Sequence, residues 1–237
     1  MNRLIVVLFL LSINLNAQDL ESFFTQTNDF LSKNVKDGKV DYHSIKKDIK
    51  TLDKIIALSN DLVLENINDN QYKAFWINIY NLCVIKGITN NLKINSPLDV
   101  NGFFDTITYQ VGRKKIALND IENKLLRDKY NDPRFHFVLV CGAIGCPVLL
   151  NEAYMPNTID QQLEAQTTKA VNNSEFIKIN RKKKRIEVSE IFKWYKKDFV
   201  MNGTEIDFIN KYLKEPVSSK FKLSYYSYNW KLNIKKD

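Results

Sequence analysis

Apolar positions along the chain recur mainly at helical spacing. Leu20, Phe23, Phe24, Phe30 and Leu31 fit one face of a first amphipathic helix, and Ile45, Ile49, Leu52 and Ile56 repeat at the same period. Residues 71–90 carry Ala74, Phe75, Ile77, Val84, Ile85 and Ile88, and predict a helix through the centre of the core. Asn119 predicts a helix cap, with Asp120 and Glu122 in the first turn, where carboxylates suit the helix dipole. Asp132-Pro133 ends that helix. Further helices are expected over 158–171, over 189–199 with Ser189 as cap, and over 204–213. Alternating segments at 107–111 and 115–118 flank Gly112 as a hairpin. A second hairpin joins Phe176-Ile177-Lys178-Ile179 to Ile186-Glu187-Val188. Residues 40–42 and 223–232 read as extended, and 134–141 as a buried strand. Helices outnumber strands, and strands come as hairpins, which predicts an α+β fold: a helix-rich single domain on a small, mainly antiparallel sheet.

The first residues follow another pattern. Arg3 precedes an unbroken apolar run, Leu4 to Leu11, which Ile13 and Leu15 extend to Asn16-Ala17-Gln18. That run is short of the roughly 20 residues that a transmembrane helix needs, and it matches the apolar region of a signal peptide cleaved after Ala17. Residues 1–17 are therefore expected to be a signal peptide and 18–237 one globular domain, exported to the periplasm or secreted. No stable membrane span is expected after its removal.

Composition narrows the class. A 44% hydrophobic and 12% aromatic content suits a packed globule. The net charge of +8 comes from 35 Lys and Arg, but only six are Arg, the residue best suited to bidentate phosphate recognition. The densest basic run, Arg181-Lys182-Lys183-Lys184-Arg185, sits at a hairpin tip and reads as a solvated turn, so nucleic acid is not an expected partner.

Candidate chemistry concentrates between Asp132 and Pro147, which holds one of two His and two of three Cys. A thiol nucleophile needs a base and a group to orient it. His136 is the candidate base and Glu122 the orienting carboxylate. Gly142 and Gly145 allow backbone N–H groups to approach a reacting carbonyl. Cys141 leads as nucleophile, although on a regular strand it and His136 would face opposite sides. Cys146 is the rival, since Pro147 as the first residue of a helical turn would lower its pKa. The competing readings are a Cys141–Cys146 disulfide, simple burial, and dithiol redox chemistry. The four-residue spacer differs from the usual redox spacing. Cys83, inside the apolar helix, reads as buried core. His136, Cys141 and Cys146 match no zinc pattern, so neither metal nor cofactor is expected. Asn78 and Asn81 share a helix face and are candidates for substrate or oxyanion contacts, or for capping a neighbouring loop.

Five stretches, AFWINIYN from Ala74, ALNDIENKLLR from Ala117, DPRFHFVLVCGAIGCP from Asp132, SEIFKWYKKDF from Ser189 and YNWKLN from Tyr228, resemble the family catalogued as domain of unknown function 547. The resemblance spans about residues 40–233, with Asn229 standing where the family more often has Asp. It implies a cysteine-peptidase or transglutaminase-like centre with Glu122, His136 and Cys141 as the matching triad. The expected function is a thiol-dependent hydrolase or acyl transferase on an amide or ester, with a peptide- or glycan-like envelope substrate. The alternative is a non-catalytic cell-envelope binding module with Cys141 and Cys146 bonded. No oligomeric state follows from these patterns.

Overall fold

The computed structural model describes residues 2–235, with side chains from residue 18 onward. The expected signal peptide, 1–17, falls outside the residues whose side chains are described. Helix α1 (Asn2–Asn34) buries Leu20, Phe23, Phe24, Phe30 and Leu31, the stripe read from their spacing. Among the described residues no helix is long and apolar enough to cross a membrane.

A short hairpin, β1 (Val35–Lys36) and β2 (Lys39–Val40), leads into α2 (Tyr42–Lys47) and α3 (Ile49–Leu58). The Asp41 carboxylate starts α2 by accepting the Ser44 N–H at 2.9 Å. Helix α4 (Asp69–Asn90) opens with a reciprocal cap between Asn68 and Gln71. From Ala74 to Ile85 every residue of α4 is buried, so it is the axis of the main core.

The hairpin β3 (Thr108–Val111) and β4 (Lys114–Ala117) pairs antiparallel, as expected. The next helical run does not start on an Asn119 cap. Ala117 precedes its first residue and makes no side-chain cap. The run comprises α5 (Leu118–Asp120), a π-helical segment (Ile121–Arg127) that carries Glu122, and α6 (Asp128–Tyr130).

The buried strand expected over 134–141 is absent. Pro133–Phe137 is a 3-10 helix, started by the Asp132 carboxylate accepting the Arg134 N–H at 3.0 Å, and irregular backbone follows. The apolar run is buried without a strand neighbour because Asn81 on α4 stands in for one. Its amide donates to the Val138 carbonyl and accepts from the Val140 N–H, both at 2.9 Å. Buried backbone must be paired, and a side-chain amide does it as well as a strand.

Helix α7 (Ile159–Val171) precedes the three-stranded sheet. There β5 (Ile177–Asn180) and β6 (Arg185–Ser189) form the basic-tipped antiparallel hairpin, and β7 (Lys222–Tyr226) joins β6 in parallel. The helix expected over 189–199 is two short pieces, α8 (Ile191–Trp194) and α9 (Lys196–Phe199), interrupted at Tyr195. Glu190 rather than Ser189 precedes the first of them. Helix α10 (Glu205–Tyr212) begins on a Thr204–Asp207 capping box. The fold is a helix-rich α+β domain whose sheets are mainly antiparallel.

Two apolar clusters meet at the loop after Phe137. One surrounds α4; the other gathers Phe137, Phe176, Phe192, Phe199 and Phe208 over β6; Cys146 packs against both. The last residues of the chain hold this loop. The Ile144 and Gly145 N–H groups donate to the Lys231 and Asn229 carbonyls at 2.7 and 2.8 Å, and the Asn233 N–H donates to Gly142 at 2.9 Å. Gly142 has φ +82° with the tips of Ile88 and Val84 against its missing side chain. Gly142→Ala is therefore expected to cost about 1–3 kcal/mol, from left-handed backbone strain and overpacking. Urea unfolding reads this, and a change under about 0.5 kcal/mol would count against the account.

Candidate functional site

A cavity of about 150 Å³ opens beside the loop, lined by Glu122, His136, Cys141 and Cys146 together with Tyr80, Trp194, Tyr195, Tyr228 and Trp230. The four residues read as a reaction centre thus share one wall system, although they come from the π-helical segment, the 3-10 helix and the loop. Asp198, Arg127 and the Tyr228 hydroxyl complete it, and none of these was singled out from sequence.

The two thiols form its centre. Their sulfurs lie 2.7 Å apart and are not joined as a disulfide. The Cys141 N–H donates to the Cys146 sulfur at 3.1 Å, and the Tyr228 hydroxyl lies 2.8 Å from Cys146 and 3.0 Å from Cys141. Burial alone would push both thiols up. At Cys146, hydrogen bonds from the Cys141 thiol, the Tyr228 hydroxyl and backbone N–H groups outweigh burial and hold the thiol below its ordinary value. At Cys141, burial, the hydrogen bond to Cys146 and the charge on Cys146 act together and drive the thiol well up. The contacts that favour an anion converge on Cys146, the rival in the sequence reading.

His136 is held differently from the expectation. Its Nε2 pairs with the Asp198 carboxylate at 2.7 Å, and Asp198 in turn accepts from Arg127 at 2.8 and 3.1 Å. Burial raises the Asp198 carboxyl, but the bonds from His136 and Arg127 outweigh this and hold it well below the carboxylate range. With Nε2 donating to Asp198, Nδ1 is left as the basic nitrogen. The ring stacks on Tyr195 at 4.1 Å, and the Arg127 guanidinium lies over the same Tyr195 ring at 4.5 Å. Glu122 meets phenols instead, with the Tyr80 hydroxyl 3.4 Å from its Oε2 and the Tyr195 hydroxyl also in contact. Burial and the Glu122 charge push both phenols up, so each remains a donor to that carboxylate.

Asn78 and Asn81 are not among the residues that line the cavity. Asn78 donates to the Tyr154 carbonyl at 2.8 Å and accepts its N–H at 3.0 Å, and Asn81 clamps Val138 and Val140 as described. Both amides are spent on backbone, the loop-capping alternative. His43 is exposed next to the α2 start, and Cys83 is fully buried in α4. Among the described residues no group of three or more His, Cys, Asp or Glu is arranged to hold a metal ion.

Residues 64–170 match the family model described as "Protein of unknown function, DUF547". The matched segment belongs to the DUF547 family. It contains α4, Glu122, His136 and both loop cysteines, while Asp198, Tyr228 and Trp230 lie beyond it. The DUF547 segment thus supplies the thiols, the imidazole and Arg127, and the remainder of the chain supplies Asp198 and the Tyr228 hydroxyl. No curated protein and no solved structure matches the chain. Asp198 was hard to find because an acidic residue after Lys196-Lys197 reads as a solvated helix charge. Its place in the quoted stretch from Ser189 to Phe199 was the available signal.

Proposed function

We propose that the protein is an exported thiol-dependent hydrolase or acyl transferase acting on an amide or ester. The observation that carries this reading is the sharing of one cavity by a thiol held below its ordinary pKa and an imidazole fixed by a carboxylate. In this reading His136 takes the Cys146 proton, the resulting thiolate attacks the substrate carbonyl carbon, and the C–N or C–O bond breaks. The leaving group takes a proton from His136, which leaves an acyl group on sulfur as a thioester. Water or another nucleophile then gives its proton to His136 as it attacks the thioester and returns the thiol. Asp198 keeps the ring oriented and stabilises its protonated form, the role usually given to the third member of such a set. Export is supported by Arg3 and the short apolar run after it.

The contact between the two sulfurs favours one other reading, the envelope-binding module in which Cys141 and Cys146 are bonded. Treating the reduced mature protein with p-nitrophenyl acetate and mapping the acetylated peptide separates the two. The expected result is a nitrophenolate burst with the acetyl group on Cys146, lost in Cys146→Ala and slowed about 100-fold or more in His136→Ala. Acetylation independent of residue 136, or none at either thiol, sinks the catalytic reading. A Cys141–Cys146 disulfide that persists in the isolated protein gives the lead to the binding module.

A further inference from the structure

The walls of the cavity carry more information than its reacting groups. Trp194 and Trp230 stack at 5.8 Å with 28° between their planes, and Tyr228 meets them at 5.1 and 4.7 Å. Trp194 is 45% exposed, an unusual position for the largest aromatic side chain, and it stands on the cavity lining. Aromatic faces are electron-rich and attract cations. Among the described residues the Lys and Arg groups that lie over rings use Tyr72, Tyr130, Tyr195 and Tyr226, and none covers Trp194 or Trp230.

A second, independent observation concerns Glu122. It is only 9% exposed, lines the cavity, and among the described residues makes no ion pair. Its contacts are the hydroxyls of Tyr80, at 3.4 Å, and Tyr195. A buried carboxylate normally has a cationic partner or several strong hydrogen bonds. The bidentate Arg127 is already matched by Asp198. Arg127 reaches Glu122 only as a longer-range charge, so Glu122, Asp198 and Arg127 together carry one more carboxylate than cation, and the balance is the same whether a proton sits on Cys146 or has moved to His136. This acidic, aromatic hollow belongs to a protein whose net charge is +8.

We infer that the cavity recognises an organic cation, an alkylammonium group held between the Trp194–Tyr228–Trp230 faces and the Glu122 carboxylate. The inference names the substrate class for the proposed thiol site and rests on that reading only in treating the ligand as a substrate. Binding itself requires no reaction. The small cavity suits a head group with a few carbons rather than a polymer lying along the surface, so the rest of the substrate extends past the Trp194 rim.

Isothermal titration of the full protein with choline and with its neutral isostere 3,3-dimethylbutan-1-ol is the test. Choline is expected to bind at least about 10-fold tighter than the isostere, the scale of a desolvated cation–π and carboxylate contact. Glu122→Gln is expected to remove most of that preference, and Trp230→Ala to weaken choline while leaving the far-ultraviolet circular dichroism unchanged. Equal affinity for the two probes, absence of choline binding by the folded wild-type protein, or a preference that survives Glu122→Gln overturns the inference. If choline binds with this preference while Cys146 is never acylated, the catalytic reading fails and the cation site stands. If Cys146 is acylated without any preference for choline, only the cation site fails.

Discussion

Asn81→Leu is expected to lower stability by about 2–5 kcal/mol, although the replacement keeps the branched heavy-atom skeleton of the asparagine. The amide of Asn81 satisfies one carbonyl and one N–H of the irregular backbone that follows Phe137, both at 2.9 Å. Leucine fills the space but pairs neither group, and each buried backbone group left without a partner costs about 1–3 kcal/mol. Against a typical domain stability of roughly 5–15 kcal/mol this is a large fraction. Chemical denaturation would show a lower midpoint. A loss below about 0.5 kcal/mol would mean that water or a shifted backbone repairs the site. The functional effect follows from the same contacts, because Val140 immediately precedes Cys141. Any chain that still folds is expected to show a slower Cys146 reaction.

Asp198→Ala is expected to reduce the acylation rate constant by about 100- to 10,000-fold, the range seen when the third member of a comparable set is removed. The imidazole loses the acceptor that fixes its Nε2–H, and Arg127 loses its ion-pair partner. A purely structural effect would appear as unfolding without a change in the pH–rate profile of the folded fraction. Loss of the orienting carboxylate should instead alter that profile. Acid unfolding offers a second readout. The folded protein holds the Asp198 carboxyl below its unfolded value of about 3.9, so its contribution is fully present above that pH. The contribution is lost as pH falls from there through the depressed folded value. Asp198→Ala should flatten stability in that window.

Local periodicity made most helices legible. The apolar residues of α4 placed that helix to within two residues at its start and at its last residue, because a helix buried all round has few alternatives. The two hairpins were equally clear from alternation about their turns. The segment after Pro133 was misread because an unbroken apolar run signals burial and not conformation. Its conformation depends on Asp132 and on an amide 57 residues earlier in the chain. The parallel partnership of β6 and β7 was likewise invisible, since the paired residues lie far apart in sequence. In the site, scarcity pointed to His136, Cys141 and Cys146, and the cavity does gather them. Sequence spacing could not rank the thiols, because that ranking depends on Tyr228 and on the backbone N–H of Cys141. It could not choose between Glu122 and Asp198 either, because the ring's partner is set by where α9 lies.

The stitching of the cysteine loop to the chain's final residues also fixes an order of events during synthesis. Cys141, Cys146 and His136 emerge well before the Tyr228 hydroxyl and the carbonyls of Asn229 and Lys231 that hold the loop in place. The nascent protein therefore carries two ordinary, unarmed thiols until residues 228–233 have emerged and folded back onto the loop. A product that stops before Tyr228 would retain the whole of the matched family segment and still lack the hydroxyl that polarises its sulfurs.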